Sequence, residues 1–154
     1  MQRRMQILLT AFVVTTGCQE TRYRAVPACH TPYDSEWDRV KRCLAETARL
    51  RYYRAPRNQA VWQLPTTTQR TGQGDCTALA TLLYQRLLAS KIKHSRIVFG
   101  YYGTRWHAWV NWRGHILDPT MSSHPIEESW GGYQPCWGYD MAGKYRYVAM
   151  PVSS

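Results

Sequence analysis

Gly74-Asp75-Cys76-Thr77-Ala78-Leu79-Ala80 opens the stretch whose reading decides the fold. From Cys76 onward Leu79, Leu82, Leu83, Leu87 and Leu88 recur at steps of three and four, the periodicity of an amphipathic helix with one buried face. Asp75 stands directly ahead of it, a residue type that caps helix N-termini by accepting a backbone N–H. Cys76 therefore falls in the first helical turn. There the macrodipole and the unpaired N–H groups favour a thiolate, the form of cysteine that acts as a nucleophile. A cysteine placed this way needs a base, and the base needs something to orient it.

Both stand downstream, in His107-Ala108-Trp109-Val110-Asn111-Trp112-Arg113-Gly114-His115-Ile116-Leu117-Asp118-Pro119-Thr120. Trp106 to Trp112 is rich in aromatic and β-branched residues, His115 to Asp118 is a shorter run of similar character, and Arg113-Gly114 between them reads as a two-residue hairpin turn. If Trp112 faces His115, then Trp109 faces Asp118, and His107, two positions from Trp109, shares that sheet face. Diagonal neighbours lie about 7–8 Å apart, within reach of an imidazole and a carboxylate. A one-residue slip would turn Asp118 to the other face. Pro119 ends the strand and leaves the carboxylate at its tip.

Cysteine at a helix start, histidine on a strand and aspartate one hairpin later is a combination that Cys76, His107 and Asp118 share with a known group. Gly-Asp-Cys76-Thr-Ala-Leu-Ala, Arg96-Ile-Val-Phe-Gly, His107-Ala-Trp-Val and Ile116-Leu-Asp118-Pro-Thr resemble the core of the transglutaminase-like superfamily. Trp62-Gln-Leu-Pro65, fourteen to eleven residues before Cys76, is similar in spacing to the bacterial transglutaminase-like cysteine proteinases. The resemblance spans Val61 to Thr120, with a weaker echo in the aromatic tail.

It implies an α+β, papain-like fold in which a catalytic cysteine at a helix N-terminus packs on an antiparallel sheet carrying the histidine and aspartate. Cys76 would be the nucleophile, His107 the general base and acid, and Asp118 the orienting residue. The implied chemistry is attack on an amide carbonyl through a thioester, with the Cys76 N–H serving the oxyanion. Trp62, through its indole N–H, and Gln63 are the candidates for the second donor. Peptide hydrolysis leads; transglutaminase or deamidase chemistry on the same triad, or a non-catalytic binding lipoprotein with this fold, are the alternatives. Where the proteinases usually carry acidic residues after the cysteine, this chain has Thr77 and Ala78. The resemblance therefore does not carry a calcium requirement with it.

The chain begins with a basic Arg3-Arg4 and an apolar run from Ile7 to Val14, shorter than the roughly 20 apolar residues of a membrane-spanning helix. Thr16-Gly17-Cys18 follows and resembles a bacterial lipoprotein signal, in which the cysteine is lipidated and becomes the mature N-terminus. Export to the cell envelope is the expectation, on the periplasmic face of a membrane, with Gln19 resembling the outer-membrane form of such signals. The organisation expected is a signal at 1–17, an irregular arm at 18–33 and the hydrolase domain at 34–154.

An exported protein meets oxidising conditions, so the five cysteines matter. With Cys18 assigned to lipid and Cys76 to chemistry, Cys29, Cys43 and Cys136 remain. A Cys29–Cys43 disulfide is the simplest pairing, though Cys136 could join either. There is no Cys-x-x-Cys or His-Glu-x-x-His spacing, so neither a metal site nor a cofactor is expected.

The 154 residues suit one core. Asp34 reads as the cap of a helix from Ser35 to about Arg51 with Trp37, Val40, Leu44 and Ala48 on one side, Ala55 to Gln73 as a loop, and Lys144 to Met150 as a closing strand. The net charge of +10 suggests acidic partners. The basic residues are dispersed, however, over Arg39, Lys41, Arg42, Arg49, Arg51, Arg54, Arg57, Lys91 and Lys93, with no nucleic-acid module. They read as a solvated face that can lie against anionic lipid or cell-wall polymer. The expected partners are a protein or peptide substrate and a membrane reached through Cys18, and not nucleic acid.

Overall fold

The computed structural model describes residues 26–29, 34–54, 62–127 and 131–146. The expected signal at 1–17, Cys18 and most of the arm lie outside them. Ser35 starts the first helix: its backbone is extended (φ −62°, ψ 160°) and its hydroxyl accepts the Asp38 N–H at 3.1 Å, so α1 runs Glu36–Ala48. Asp34, expected as the cap, instead pairs with Arg42 at 2.9 Å. The stripe that α1 buries is Val40, Cys43, Leu44 and Thr47. Trp37 remains part-exposed and stacks on Trp112 at 5.7 Å.

The segment expected as a loop before Cys76 holds a second helix, α2 (Pro65–Thr71). The residues that read as punctuation are its ends. Pro65 takes the first helical position, where a missing N–H costs nothing, and Gly72 closes the helix in the left-handed conformation (φ 69°) with its N–H on the Thr68 carbonyl at 3.0 Å. Two short strands, β1 (Arg51–Tyr52) and β2 (Gln73–Gly74), pair in parallel and bind α2 to the end of α1.

The third helix, α3, runs Cys76–Ala89. It buries Leu79, Leu82, Leu83 and Leu87, but also Ala78, Ala80 and Tyr84, so more than the one expected face is covered. The reason is its neighbours: α1, α2 and strands β3 and β4 all pack against it. Gly74 marks the tightest approach. A Cβ there would come within 2.7 Å of the Ala78 Cβ and 3.1 Å of the Thr68 Cγ2, so only glycine lets α2 and α3 close on each other.

The remaining elements, β3 (Ser95–Tyr102), β4 (Arg105–Trp112), β5 (His115–Leu117), β6 (Ile126–Glu127), β7 (Tyr133–Asp140) and β8 (Gly143–Arg146), form a six-stranded sheet. Its order is β6-β5-β4-β3-β7-β8, antiparallel throughout. The β4–β5 turn is Arg113-Gly114, both at positive φ (48° and 81°), and the register pairs Trp112 with His115 and Val110 with Leu117. That is the pairing the hairpin arithmetic requires. One sheet face, with Ile97, Phe99, Ala108, Val110, Trp112 and Leu117, packs on α1 and α3 as the main core. The other carries a smaller cluster of Val98, Trp109 and Ile116, closed by Ile126 and Tyr133.

Candidate active site

Asp75 prepares the helix start. It is extended (φ −80°, ψ −177°) and its carboxylate accepts the Ala78 N–H at 2.8 Å, which makes Cys76 the first residue of α3. The N–H of a first-turn residue has no partner within the helix, which makes that of Cys76 a candidate donor to an incoming oxyanion. The thiol itself is half-buried and free.

His107 lies in the middle of β4, opposite Gly100 of β3. Strand β5 pairs with β4 only at Val110–Trp112, so no ladder bond from β5 reaches His107. Cys76 packs against the helix-side core and His107 lies on the opposite sheet face, and hydrogen bonding and charge from the Cys76 side chain both act on the ring. The far side of the ring belongs to Asp118, whose Oδ2 lies 2.6 Å from Nε2. An ionised carboxylate only accepts, so Nε2 carries the proton and Nδ1 is the nitrogen left for sulfur.

Asp118 follows the last residue of β5 and is 0% exposed. A carboxylate so buried is tolerable only if hydrogen-bonded, and each of its oxygens has two donors. Oδ1 accepts the Thr120 N–H at 3.0 Å and the Thr120 hydroxyl at 2.7 Å; Oδ2 accepts His107 and, at 2.9 Å, the Tyr133 hydroxyl. The Met121 and Ser122 N–H groups close the turn onto the Asp118 carbonyl at 3.1 and 2.9 Å. Asp118-Pro119-Thr120 is thus an Asx-type turn, and it holds the carboxylate in place.

Burial acts to lower the proton affinity of His107, but hydrogen bonds and charge from Asp118 and Cys76 outweigh it and push the ring up to about 9. At neutral pH the ring is therefore an imidazolium, held between a carboxylate and a sulfur. Burial first, and then the Asp118 charge, raise the Tyr133 phenol, which stays protonated and donates. A charged ring beside a sulfur at a helix N-terminus is the environment in which thiols become nucleophiles.

Sequence reasoning reached Cys76, His107 and Asp118, and the fold brings all three together. It did not reach Thr120 or Tyr133. Asp-Pro-Thr is a readable turn signal that could have found Thr120. Tyr133 had none, because its approach depends on the pairing of β7 with β3, which shifts register between Phe99 and Gly100. Trp62 is 63% exposed and tilts against Phe99 at 5.6 Å. The Gln63 amide donates to Thr71 Oγ1 and the Gln73 carbonyl, both at 3.3 Å, bracing α2 against β2. Cys29 and Cys43 lie side by side as free thiols away from the triad. Among the described residues no group of three His, Cys, Asp or Glu side chains is arranged to hold a metal ion.

No family model matches the chain, and no curated protein matches it. Solved structures do. LapG of Legionella pneumophila superposes with a TM-score of 0.66 at 16% identity, covering 80% of this chain and 73% of that one. Its calcium-bound form gives 0.62 at 17% identity, covering 70% of this chain and 66% of that one, and its EGTA-treated form 0.63 at 17% identity, covering 71% and 66%. The match thus spans about two-thirds of the LapG chain in those two forms. At this level of identity the likeness speaks for the fold, an α+β architecture with a six-stranded antiparallel sheet, and that fold is transglutaminase-like.

Proposed function

We propose that the protein is a thiol enzyme that attacks an amide carbonyl with Cys76 and passes through a thioester, acting as a peptidase. One observation carries the reading: the His107 ring lies between the Asp118 carboxylate, at 2.6 Å, and the side chain of Cys76 at the first turn of α3. The sulfur adds to the carbonyl carbon while the Cys76 N–H receives the oxyanion. The imidazolium gives its Nδ1 proton to the departing amine, and the neutral ring then takes a proton from the water that cleaves the thioester. Asp118 keeps Nε2 protonated throughout, so the nitrogen facing sulfur is the one that exchanges protons.

The transglutaminase-like fold shared with LapG supports this chemistry. LapG is calcium-bound in one of its structures. In this chain Thr77 and Ala78 follow Cys76, and the described residues bring no carboxylate cluster together. No step of the proposed chemistry uses a metal. Export and lipid attachment at Cys18 belong to the same proposal and rest on Arg3-Arg4, the apolar run from Ile7 to Val14 and Thr16-Gly17-Cys18. Mass spectrometry of the mature N-terminus tests them: an unmodified Cys18 or a different cleavage point overturns the anchor.

Alkylation with iodoacetamide, followed by peptide mapping at pH 7, tests the thiol assignment. Cys76 should label at least about tenfold faster than Cys136, and His107→Ala should remove the difference. Equal labelling of Cys76 and Cys136 in the wild type would overturn the reading.

A further inference from the structure

We propose that Tyr133 is a positioning residue of this thiol site, donating its hydroxyl to the Asp118 oxygen that also holds the His107 Nε2–H and so dividing that oxygen's charge between phenol and imidazole. The proposal rests on the reading of Cys76, His107 and Asp118 as the reacting group.

The geometry is specific to one oxygen. Thr120 supplies both donors to Oδ1, whereas Oδ2 is shared by Tyr133 at 2.9 Å and His107 at 2.6 Å. Thr120 is local to the turn and satisfies the carboxylate whether or not the imidazole is present. Tyr133 comes from a different strand, the first residue of β7, two strands away from β4 in the sheet order. It arrives there through its register with Tyr102 of β3. Its ring packs against Tyr102 at 4.7 Å and edge-on to Trp109 at 5.1 Å, so the hydroxyl is aimed by a packed aromatic cluster and not by a flexible side chain. A carboxylate could be satisfied more simply by water or by a second turn donor. A phenol placed by the sheet fixes Oδ2 relative to β4, the strand that carries His107.

The groups facing His107 are Cys76 from α3, Asp118 and Thr120 from the end of β5, Tyr102 from β3 and Tyr133 from β7, with Trp109 stacked along its own strand. Among these, Tyr133 acts on the ring through Asp118. A hydrogen bond to a carboxylate oxygen spreads its negative charge, which weakens the hold of that oxygen on the imidazolium. With the phenol present the ring proton is released more readily; without it Oδ2 serves His107 alone and holds the proton harder.

Tyr133→Phe keeps the ring and its packing and deletes the hydroxyl. In full-length protein labelled with 15N-histidine, the NMR titration of the His107 ring should move upward by about half a pH unit. The melting temperature should stay close to that of the wild type. Site-specific replacement of Tyr133 by 3-fluorotyrosine, a stronger donor, should move the titration downward and covers the case in which the Phe variant fails to fold. A purely structural tyrosine gives neither shift. An unmoved titration in either folded variant overturns the proposal. The titration is read without turnover, so failure of the Cys76 assignment shows up in the alkylation experiment and failure of the Tyr133 proposal shows up here.

Discussion

Two cysteine centres lie in the same small domain, and their difference is instructive. Cys76 is half-buried at a helix start with an imidazolium beside it. Cys29 and Cys43 are buried side by side between the arm, α1 and the end of α3. They gather around Ser90, whose hydroxyl accepts the Cys29 N–H at 3.0 Å and lies 3.4 Å from the Cys43 sulfur. The contact with Cys43, and then burial, push the Cys29 thiol up, while the same contact lowers Cys43. One centre has an imidazole and, beyond it, a buried carboxylate. The other has a neighbour thiol, the Ser90 hydroxyl and core residues around it. Under the proposed reading, element and burial make the same side chain a nucleophile in one place and a structural thiol in the other.

The sharpest way to break that contrast is to delete each sulfur. Cys76→Ala should lower peptide hydrolysis by at least about 10⁴-fold while leaving the melting temperature near that of the wild type, because the first helical position demands little packing. Asp118→Asn should cost about 10³–10⁴-fold and leave a measurable residue, since nucleophile and base remain while the tautomer is disturbed. Cys43→Ala should do the reverse, lowering stability by about 1–2 kcal/mol with activity retained. A Cys43 variant that is folded and inactive would merge the two centres and end the comparison.

How far this contrast was legible beforehand differs by region. The placement of Cys76 at a helix start and of His107 beside Asp118 could be read from the sequence because each depends on local rules: a cap and a 3.6-residue period for Cys76, and a two-residue turn that sets the register for the other two. The turn Arg113-Gly114 takes the positive φ values its tight geometry needs. Helix α2 was not legible, because Pro65 and Gly72 signal breaks as strongly as they signal ends, and its polar Thr-rich run has no apolar stripe. Strand β7 was not legible either. Gly138 and Pro135 interrupt its pattern, and what holds it is pairing with β3, including the passage of Gly100 against the Gln134 carbonyl where no Cβ fits. Non-local pairing also decided Tyr133, which is why the network around Asp118 emerged only from the fold.

A further prediction uses the charge on His107. Its ring is raised from the ordinary 6.5 to about 9 in the folded chain, so folding is linked to protonation. Below pH 6.5 the ring is charged in both folded and unfolded states and the stabilisation is fully present; it is lost as pH rises through about 9. The span corresponds to about 3 kcal/mol. Denaturant titrations at pH 6.5 and 9.5 should therefore show a fall in the wild type that His107→Gln lacks. Equal falls in both proteins would remove the imidazolium from the account.

Oxidation sharpens the other centre. With glutathione disulfide as oxidant, Cys29 and Cys43 give up two protons and two electrons to form one disulfide, and the oxidant becomes two glutathione thiols. The closed loop of about 15 residues should raise stability by about 3 kcal/mol. Peptide mapping should find Cys29 joined to Cys43, with Cys76 carrying only a glutathione adduct. A bridge from Cys136 to either one would show that the pairing seen in the reduced fold is not the one that forms.

An effect as small as that of Cys43→Ala concerns Ser90, which is fully buried. Its hydroxyl serves the Cys29 N–H and the Cys43 sulfur, while its carbonyl accepts Arg39 Nη1 at 3.2 Å. Ser90→Ala removes only the hydroxyl, leaving the helix end and the Arg39 contact in place. The Cys29 N–H then stays buried without an acceptor, a cost of about 1–2 kcal/mol. Because Ser90 lies at the opposite end of α3 from Cys76, alkylation of Cys76 should keep its wild-type rate and pH profile. The variant should also ease oxidation of the pair, since the thiols lose the hydroxyl that holds them in the reduced arrangement. If Ser90→Ala instead slowed Cys76, the two centres would be coupled along the length of α3, and the separation drawn between a reactive and a structural thiol would have to be abandoned.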